Sequence, residues 1–246
     1  MSDLPYLSIV VPTYNEARRL PQTLDTLRDF FREFTRTYEV LIVVEQSGDG
    51  TLEIASEAAR RQENFMAIDN GPQRGKGHAV RSGMLRARGE HVFYMDADLS
   101  VPVGEVGAFL AHFAAHRDVD VVLGNRQHAR SRIVRRQSAL REGMGKCFNR
   151  LLQRLGLASL HDTQCGFKAF RRAAAQAIFS RQTLDGFAFD VEVLLLAERL
   201  GCKIADLPVE WRNSPDSRVR LVRDSLAMLR DMLRIRRIVD SATREA

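Results

Sequence analysis

The sequence predicts an α/β chain built on a mostly parallel sheet with helices on both faces, and three observations carry that prediction. Short runs such as Leu7-Ser8-Ile9-Val10-Val11-Pro12 are apolar at nearly every position and rich in β-branched residues, as strands buried on both faces require. The first such run passes directly into a stretch whose apolar residues recur at three and four residues, the stripe of an amphipathic helix, and further strand and helix patterns alternate after it. The polar and acidic loops fall at strand ends, where open parallel sheets hold their ligands. With 246 residues and 45% hydrophobic content the chain can bury a sizeable core, which excludes disordered and fibrous classes. No internal repeat or low-complexity linker divides it, so one domain over residues 1–246 is expected, with 219–246 a basic amphipathic helical extension.

Taken in order, Leu7 to Pro12 should be a central strand that Pro12 ends. Asn15 can then cap a helix carrying Leu20, Leu24, Leu27, Phe31 and Phe34. Glu39 to Val44 is the second strand, the loop Glu45-Gln46-Ser47-Gly48-Asp49-Gly50 follows, and Thr51 to Arg61 is helical. Phe65 to Ile68 makes a short third strand. Arg74-Gly75-Lys76-Gly77 opens a helix reaching about Arg88, and His91 to Met95 is the fourth strand. Val119 to Leu123 gives a fifth strand, Ser138 to Leu155 a helix, Gln164 to Phe170 an irregular or strand segment, Asp190 to Leu200 a helix and Ile204 to Trp211 the last strand. The loops at 12–16, 45–50 and 96–98 can therefore converge on one cleft.

The net charge of +6 favours anionic partners. Residues 126–154 carry eight arginines and one lysine against a single glutamate, and 212–237 another eight arginines with three aspartates. No basic block is continuous or interleaved with aromatics, which counts against a nucleic-acid platform. Cys147, Cys165 and Cys202 show no Cys-x-x-Cys spacing and read as reduced core thiols. No apolar stretch approaches a membrane span and the N-terminus has no signal-peptide core, so a cytoplasmic location is expected.

The chemistry concentrates at Asp96-Ala97-Asp98, directly after the fourth strand. Two carboxylates there suit a hard divalent cation, Mg²⁺ or Mn²⁺, whose remaining positions are filled by water and phosphate oxygens. Tyr14 can lie against a flat base, Glu16 can accept from hydroxyls, and Glu45 can accept from a base imide or a ribose hydroxyl. Arg74 and Lys76 offer cations beside small residues that let backbone approach a diphosphate or the donor sugar. A helix cap or a solvated turn would explain each of these segments alone.

Together the motifs resemble the family 2 glycosyltransferases, inverting enzymes of the GT-A fold. The resemblance spans nearly the whole chain and rests on Val11-Pro12-Thr13-Tyr14-Asn15-Glu16, Arg74-Gly75-Lys76-Gly77, Asp96-Ala97-Asp98-Leu99-Ser100, Gly124-Asn125-Arg126 and Asp162-Thr163-Gln164-Cys165-Gly166-Phe167-Lys168. Gly186 to Glu192 and Ser217-Arg218-Val219 point, with Asp162 to Lys168, to the dolichyl-phosphate β-glucosyltransferase branch of the polyprenyl-phosphate sugar synthases. It implies that Pro12, Tyr14 and Glu16 contact the nucleotide, and that Asp96 and Asp98 hold the metal against the donor diphosphate while Ala97 contributes backbone. Arg126 would hold the acceptor phosphate with Arg135 or Arg136, and Arg212 and Arg218 would close a loop over the donor. Where the family usually shows Asp-Asp-Gly-Ser and a further Asp, this chain has Glu45 to Asp49 and is one residue shorter, which leaves the donor base open.

The expectation is a metal-dependent hexosyltransferase, UDP-glucose to polyprenyl phosphate, with a GDP-mannose enzyme as its nearest rival. A sugar-phosphate nucleotidyltransferase lacks its Gly-rich opening here. A basic module for membrane phosphates is the rival outside enzymology. The C-terminal stripe Val222, Leu226, Leu229 and Leu233, ringed by arginines, suits peripheral contact with an anionic leaflet or packing on the core.

Overall fold

The computed structural model describes residues 4–135, 143, 162–213 and 221–244. In chain order the elements are β1 (Leu7–Thr13), α1 (Leu20–Arg32), β2 (Tyr38–Val44), α2 (Thr51–Arg61), β3 (Phe65–Asp69), α3 (Lys76–Arg86), β4 (His91–Met95), α4 (Glu105–Ala115) and β5 (Val121–Asn125). They continue with β6 (Arg132–Arg135), β7 (Phe167–Arg171), α5 (Arg172–Phe179), α6 (Phe189–Arg199), β8 (Ile204–Pro208), β9 (Glu210–Arg212) and α7 (Leu221–Arg244).

Seven strands form one sheet in the order β3-β2-β1-β4-β7-β5-β8. All its pairings are parallel except those of β7, which runs antiparallel between β4 and β5. Successive residues of each central strand enter opposite cores, as the period of two requires. Ile9, Val11, Phe93 and Phe167 pack with Leu24, Phe31 and Phe109 of α1 and α4. Val10, Tyr94 and Phe170 pack with Val80, Ile178, Phe189 and Ile235 of α3, α5, α6 and α7. The mostly parallel sheet with helices on both faces is thus the expected fold.

Four local expectations are corrected. β1 runs through Pro12 to Thr13, so Pro12 does not end it. Asn15 does not cap α1: it adopts φ 52°, donates its N–H to Ser47 Oγ (2.9 Å) and accepts from Gly48 N–H, while α1 starts at Leu20 with proline in its first turn. The expected strand 204–211 is two strands. After Pro208 the chain leaves the main sheet, Val209 N–H turns to Ser131 Oγ, and β9 pairs with β6 in a separate parallel ribbon. Helices α4 and α5 form in addition to those expected. The helix expected over 138–155 lies, apart from Gly143, outside the described residues, as does Cys147. Cys165 is a buried free thiol and Cys202 a half-buried one.

On α7 the buried face is Met232, Ile235 and Val239, while Leu229 and Leu233 are 41% and 71% exposed. The side chains of Val222 and Leu226 lie outside the described residues. No helix among the described residues is long and apolar enough to cross a membrane.

Candidate active site

The sheet order places the ends of β2, β1 and β4 side by side, so the loops beginning at Glu45, Tyr14 and Asp96 open at one edge. The first two are stitched together. Besides the Asn15 bonds, Glu16 N–H donates to Thr51 Oγ1 (2.8 Å) and Ala17 N–H to Asp49 Oδ2 (3.1 Å). Burial pushes the Asp49 carboxyl up, but bonds from Thr51 and Ala17 leave it below its ordinary value. Pro12 and Tyr14 are half-buried at the mouth of this edge. The buried Glu16 carboxylate is gripped by Arg19 through Nε (2.7 Å) and Nη2 (2.6 Å).

At the end of β4, Asp96 N–H donates to Gly166 C=O (3.2 Å) and its Oδ1 lies 2.7 Å from Lys76 Nζ. Burial disfavours the Lys76 charge, but Asp96, Asp190 and Asp98 outweigh it and raise the ammonium's pKa. Ala97 is buried, and its carbonyl accepts from Thr23 Oγ1 of α1 (2.6 Å). Asp98 Oδ1 accepts from Ser100 N–H (2.9 Å) across Leu99, which has φ 47°. Beneath the first carboxylate is Gly166, where a Cβ would stand 1.9 Å from Asp96 Oδ2. Asp96 and Asp98 supply only oxygen donors, and no group of three His, Cys, Asp or Glu side chains able to hold a metal occurs among the described residues. Two carboxylates completed by water and phosphate match Mg²⁺ or Mn²⁺ and would not make a zinc centre.

Glu45 meets the start of α3. Its carboxylate is buried and closes over the start of α3, accepting from Arg74 N–H (3.1 Å) and Gly75 N–H (3.0 Å), with His78 Nδ1 3.0 Å away. A longer side chain than aspartate reaches those orphan helix donors, and its charge complements the helix terminus. The glycines of this loop face another part of the chain. A Cβ on Gly75 would stand 2.5 Å from Asp185 C=O and one on Gly77 2.3 Å from Leu184 C=O, so both admit the 184–186 backbone, not a ligand. Arg74 pairs with Asp185 (2.8 Å).

Across the sheet Arg126, just past β5, is braced by Asp162: Nε and Nη2 each lie 2.7 Å from its oxygens, and the backbone N–H adds a third bond (2.8 Å). The guanidinium sits 5.5 Å from the Trp211 ring centroid. Burial raises the Asp162 carboxyl, but Arg126 more than reverses this and holds it below its ordinary value. Arg212 donates its backbone N–H to Ser100 C=O (2.8 Å), tying β9 to the acidic loop, while its exposed side chain pairs with Glu210 (2.7 Å). Arg135 is exposed on β6. Arg136, Arg218 and the expected closing loop beyond Asn213 lie outside the described residues.

Sequence reasoning missed a charged network under this floor. Lys168, wholly buried in β7, donates to Cys165 C=O (2.7 Å) and to Asp190 Oδ1, which also accepts from Tyr94 Oη (2.5 Å). Burial and the Asp190 charge push the Tyr94 phenol well up, and burial pushes the Cys165 thiol up to about 12. The available signal was a lysine in the middle of the apolar strand Phe167-Lys168-Ala169-Phe170. A cavity of about 540 Å³ between α1 and α2, lined by Pro21, Leu24, Ile54 and Phe65 among others, shares no residue with this cleft.

The sequence model described as Glycosyl transferase family 2 matches residues 8–179, from β1 to the end of α5. A dolichyl-phosphate beta-glucosyltransferase of Dictyostelium discoideum is 34% identical over 241 residues, covering 94% of this chain and 74% of that protein. One from Saccharomyces cerevisiae is 33% identical over 247 residues, with the same two coverages. Among solved structures, glucosyl-3-phosphoglycerate synthase from Mycobacterium tuberculosis, in complex with Mn²⁺, UDP and phosphoglyceric acid, aligns with TM-score 0.68 at 18% identity, over 94% of this chain and 78% of that one. Mannosyl-3-phosphoglycerate synthase from Rubrobacter xylanophilus aligns with TM-score 0.68 at 21% identity, over 95% and 74%. The likeness to these structures shows the GT-A fold, and the paired carboxylates at the end of β4 sit within the matched stretch: the chain belongs to glycosyl transferase family 2.

Proposed function

We propose that this enzyme transfers glucose from UDP-glucose to a polyprenyl phosphate of the dolichyl type, with inversion at the anomeric carbon and with Mg²⁺ or Mn²⁺. The observation that carries the reading is Asp96 and Asp98 at the end of β4, set among the cations Lys76 and Arg126, with Asp96 close enough to contribute to the field on Arg126. The names of the relatives support the sugar and the acceptor. A bound divalent ion would supply charge stabilisation for the departing diphosphate. The residues hold and orient the substrates: Asp96 and Asp98 face the donor, and Arg126, immobilised by Asp162, presents its guanidinium to the acceptor phosphate. Because that phosphate arrives ionised, its oxygen can attack the anomeric carbon opposite the leaving diphosphate, and no side chain has to take a proton.

A donor panel with a polyprenyl phosphate acceptor tests this. UDP-glucose should give lipid-linked product, and Asp98→Ala should lower kcat by roughly 100-fold or more and abolish metal-dependent UDP binding. Arg126→Ala should raise the KM for lipid phosphate more than that for the donor. Preference for GDP-mannose, or metal-independent turnover, would overturn the reading.

The membrane reading is ours as well: attachment is peripheral, on the cytoplasmic face. It is supported by Leu229 and Leu233, one turn apart on the exposed side of α7 beside the exposed Arg230, Arg234 and Arg237. In sedimentation with phosphatidylserine vesicles, Leu229→Ser/Leu233→Ser should bind about tenfold more weakly than wild type. Equal binding would return that face to solvent.

A further inference from the structure

The geometry points to Lys76 as the placeholder for the divalent cation on Asp96, an ammonium that leaves the carboxylate when the ion binds and moves to the donor diphosphate. This rests on the metal-dependent reading above. Lys76 Nζ is 2.7 Å from Asp96 Oδ1, the lysine side chain is 19% exposed and that of Asp96 35%, so the pair faces the cleft instead of being sealed in the core. The backbone of Lys76 cannot follow a moving ligand. It is the first residue of α3, the N–H of Gly75 before it is held by Glu45, and the N–H of Gly77 after it donates to Asp185 C=O (2.8 Å). Only the four-carbon stem is free to swing, past the Phe189 ring whose centroid lies 5.8 Å from the ammonium.

Charge explains why such a contact should exist and why it should be temporary. Asp96 and Asp98 end one strand within two residues of each other, and their repulsion is relieved by a cation on either. A divalent ion held by the same carboxylate would stand beside the ammonium, and two cations on one carboxylate repel, so the ion's arrival expels the lysine. The diphosphate then brings the anionic oxygens the displaced ammonium needs. Lys76 exchanges one anion for another while the ion and the diphosphate offset each other's charge. Free enzyme should therefore bind the ion alone weakly and the ion with nucleotide well.

The test is Mn²⁺ binding to the full chain, read from the electron paramagnetic resonance signal of the free ion, for wild type, Lys76→Met and Lys76→Arg, with thermal melts confirming that each folds. Without nucleotide, Lys76→Met should bind Mn²⁺ about tenfold more tightly than wild type, the worth of roughly one charge-assisted hydrogen bond, and Lys76→Arg should match wild type. In saturating Mn²⁺, Lys76→Met should bind UDP about tenfold more weakly. Mn²⁺ affinity in Lys76→Met equal to or below wild type, or no binding by either protein without nucleotide, would overturn the exchange alone. Absence of Mn²⁺ binding in every protein even with UDP present would overturn the metal-dependent reading and the exchange with it.

Discussion

Gly166→Ala is expected to lower kcat by roughly 100-fold while leaving the fold intact. The added methyl would stand 1.9 Å from Asp96 Oδ2, 2.4 Å from its Cγ and 2.8 Å from Oδ1, distances no carbon tolerates. All three atoms belong to a side chain, so the strain is relieved by turning the carboxylate and not by moving β4 or β7. The backbone hydrogen bond from Asp96 N–H to Gly166 C=O can persist. The damage then falls on the direction of the carboxylate, which the proposed ion site needs, and on the contact with Lys76 that holds it in the free enzyme. Steady-state kinetics with Mn²⁺ titration, beside a thermal melt, separates the two effects. Wild-type kcat and Mn²⁺ affinity would show that the orientation of Asp96 is immaterial.

The second large effect is on stability. Lys168→Met should destabilise the protein by about 3–5 kcal/mol, because it leaves Asp190 buried with its charge uncompensated. Lys168 and Asp190 are both buried, and their pairing is reinforced by Tyr94 Oη and Cys165 C=O. Two ions withdrawn from water need such partners on every side to offset their lost hydration. The double variant Lys168→Met/Asp190→Leu removes both charges and should recover most of the loss. Urea unfolding of wild type, Lys168→Met, Asp190→Leu and the double variant measures the coupling. A single variant within about 1 kcal/mol of wild type would mean that the pair contributes little to holding 165–168 in place.

Much of this fold could be read from local pattern. β1, β2 and β4 were legible because a strand buried on both faces writes itself as an unbroken apolar run, and the Asp96 and Asp98 pair because it follows one directly. The antiparallel run of β7 was not, since Phe167-Lys168-Ala169-Phe170 reads the same in either direction and its slot between β4 and β5 depends on pairing partners far away in sequence. Glu45 could not be resolved from residue type: a carboxylate after a strand serves a ligand or a helix terminus equally well, and only the position of Gly75 decides. On α7 the stripe with Leu229 and Leu233 and the stripe with Met232, Ile235 and Val239 both have helical spacing. Periodicity identified the helix but not the side that meets the core.

The insertion of β7 also bears on how the protein is made. β4 and β5 do not pair with each other; each pairs with β7, so the sheet remains in two pieces until residues 167–171 join it. The same segment brings Gly166, which supports Asp96, and Lys168, which locks onto Asp190. A chain leaving the ribosome therefore carries its two aspartates long before it has a floor for them, and exposes two unfinished strand edges in the interval. Closure of the sheet and completion of the floor beneath Asp96 are therefore one event.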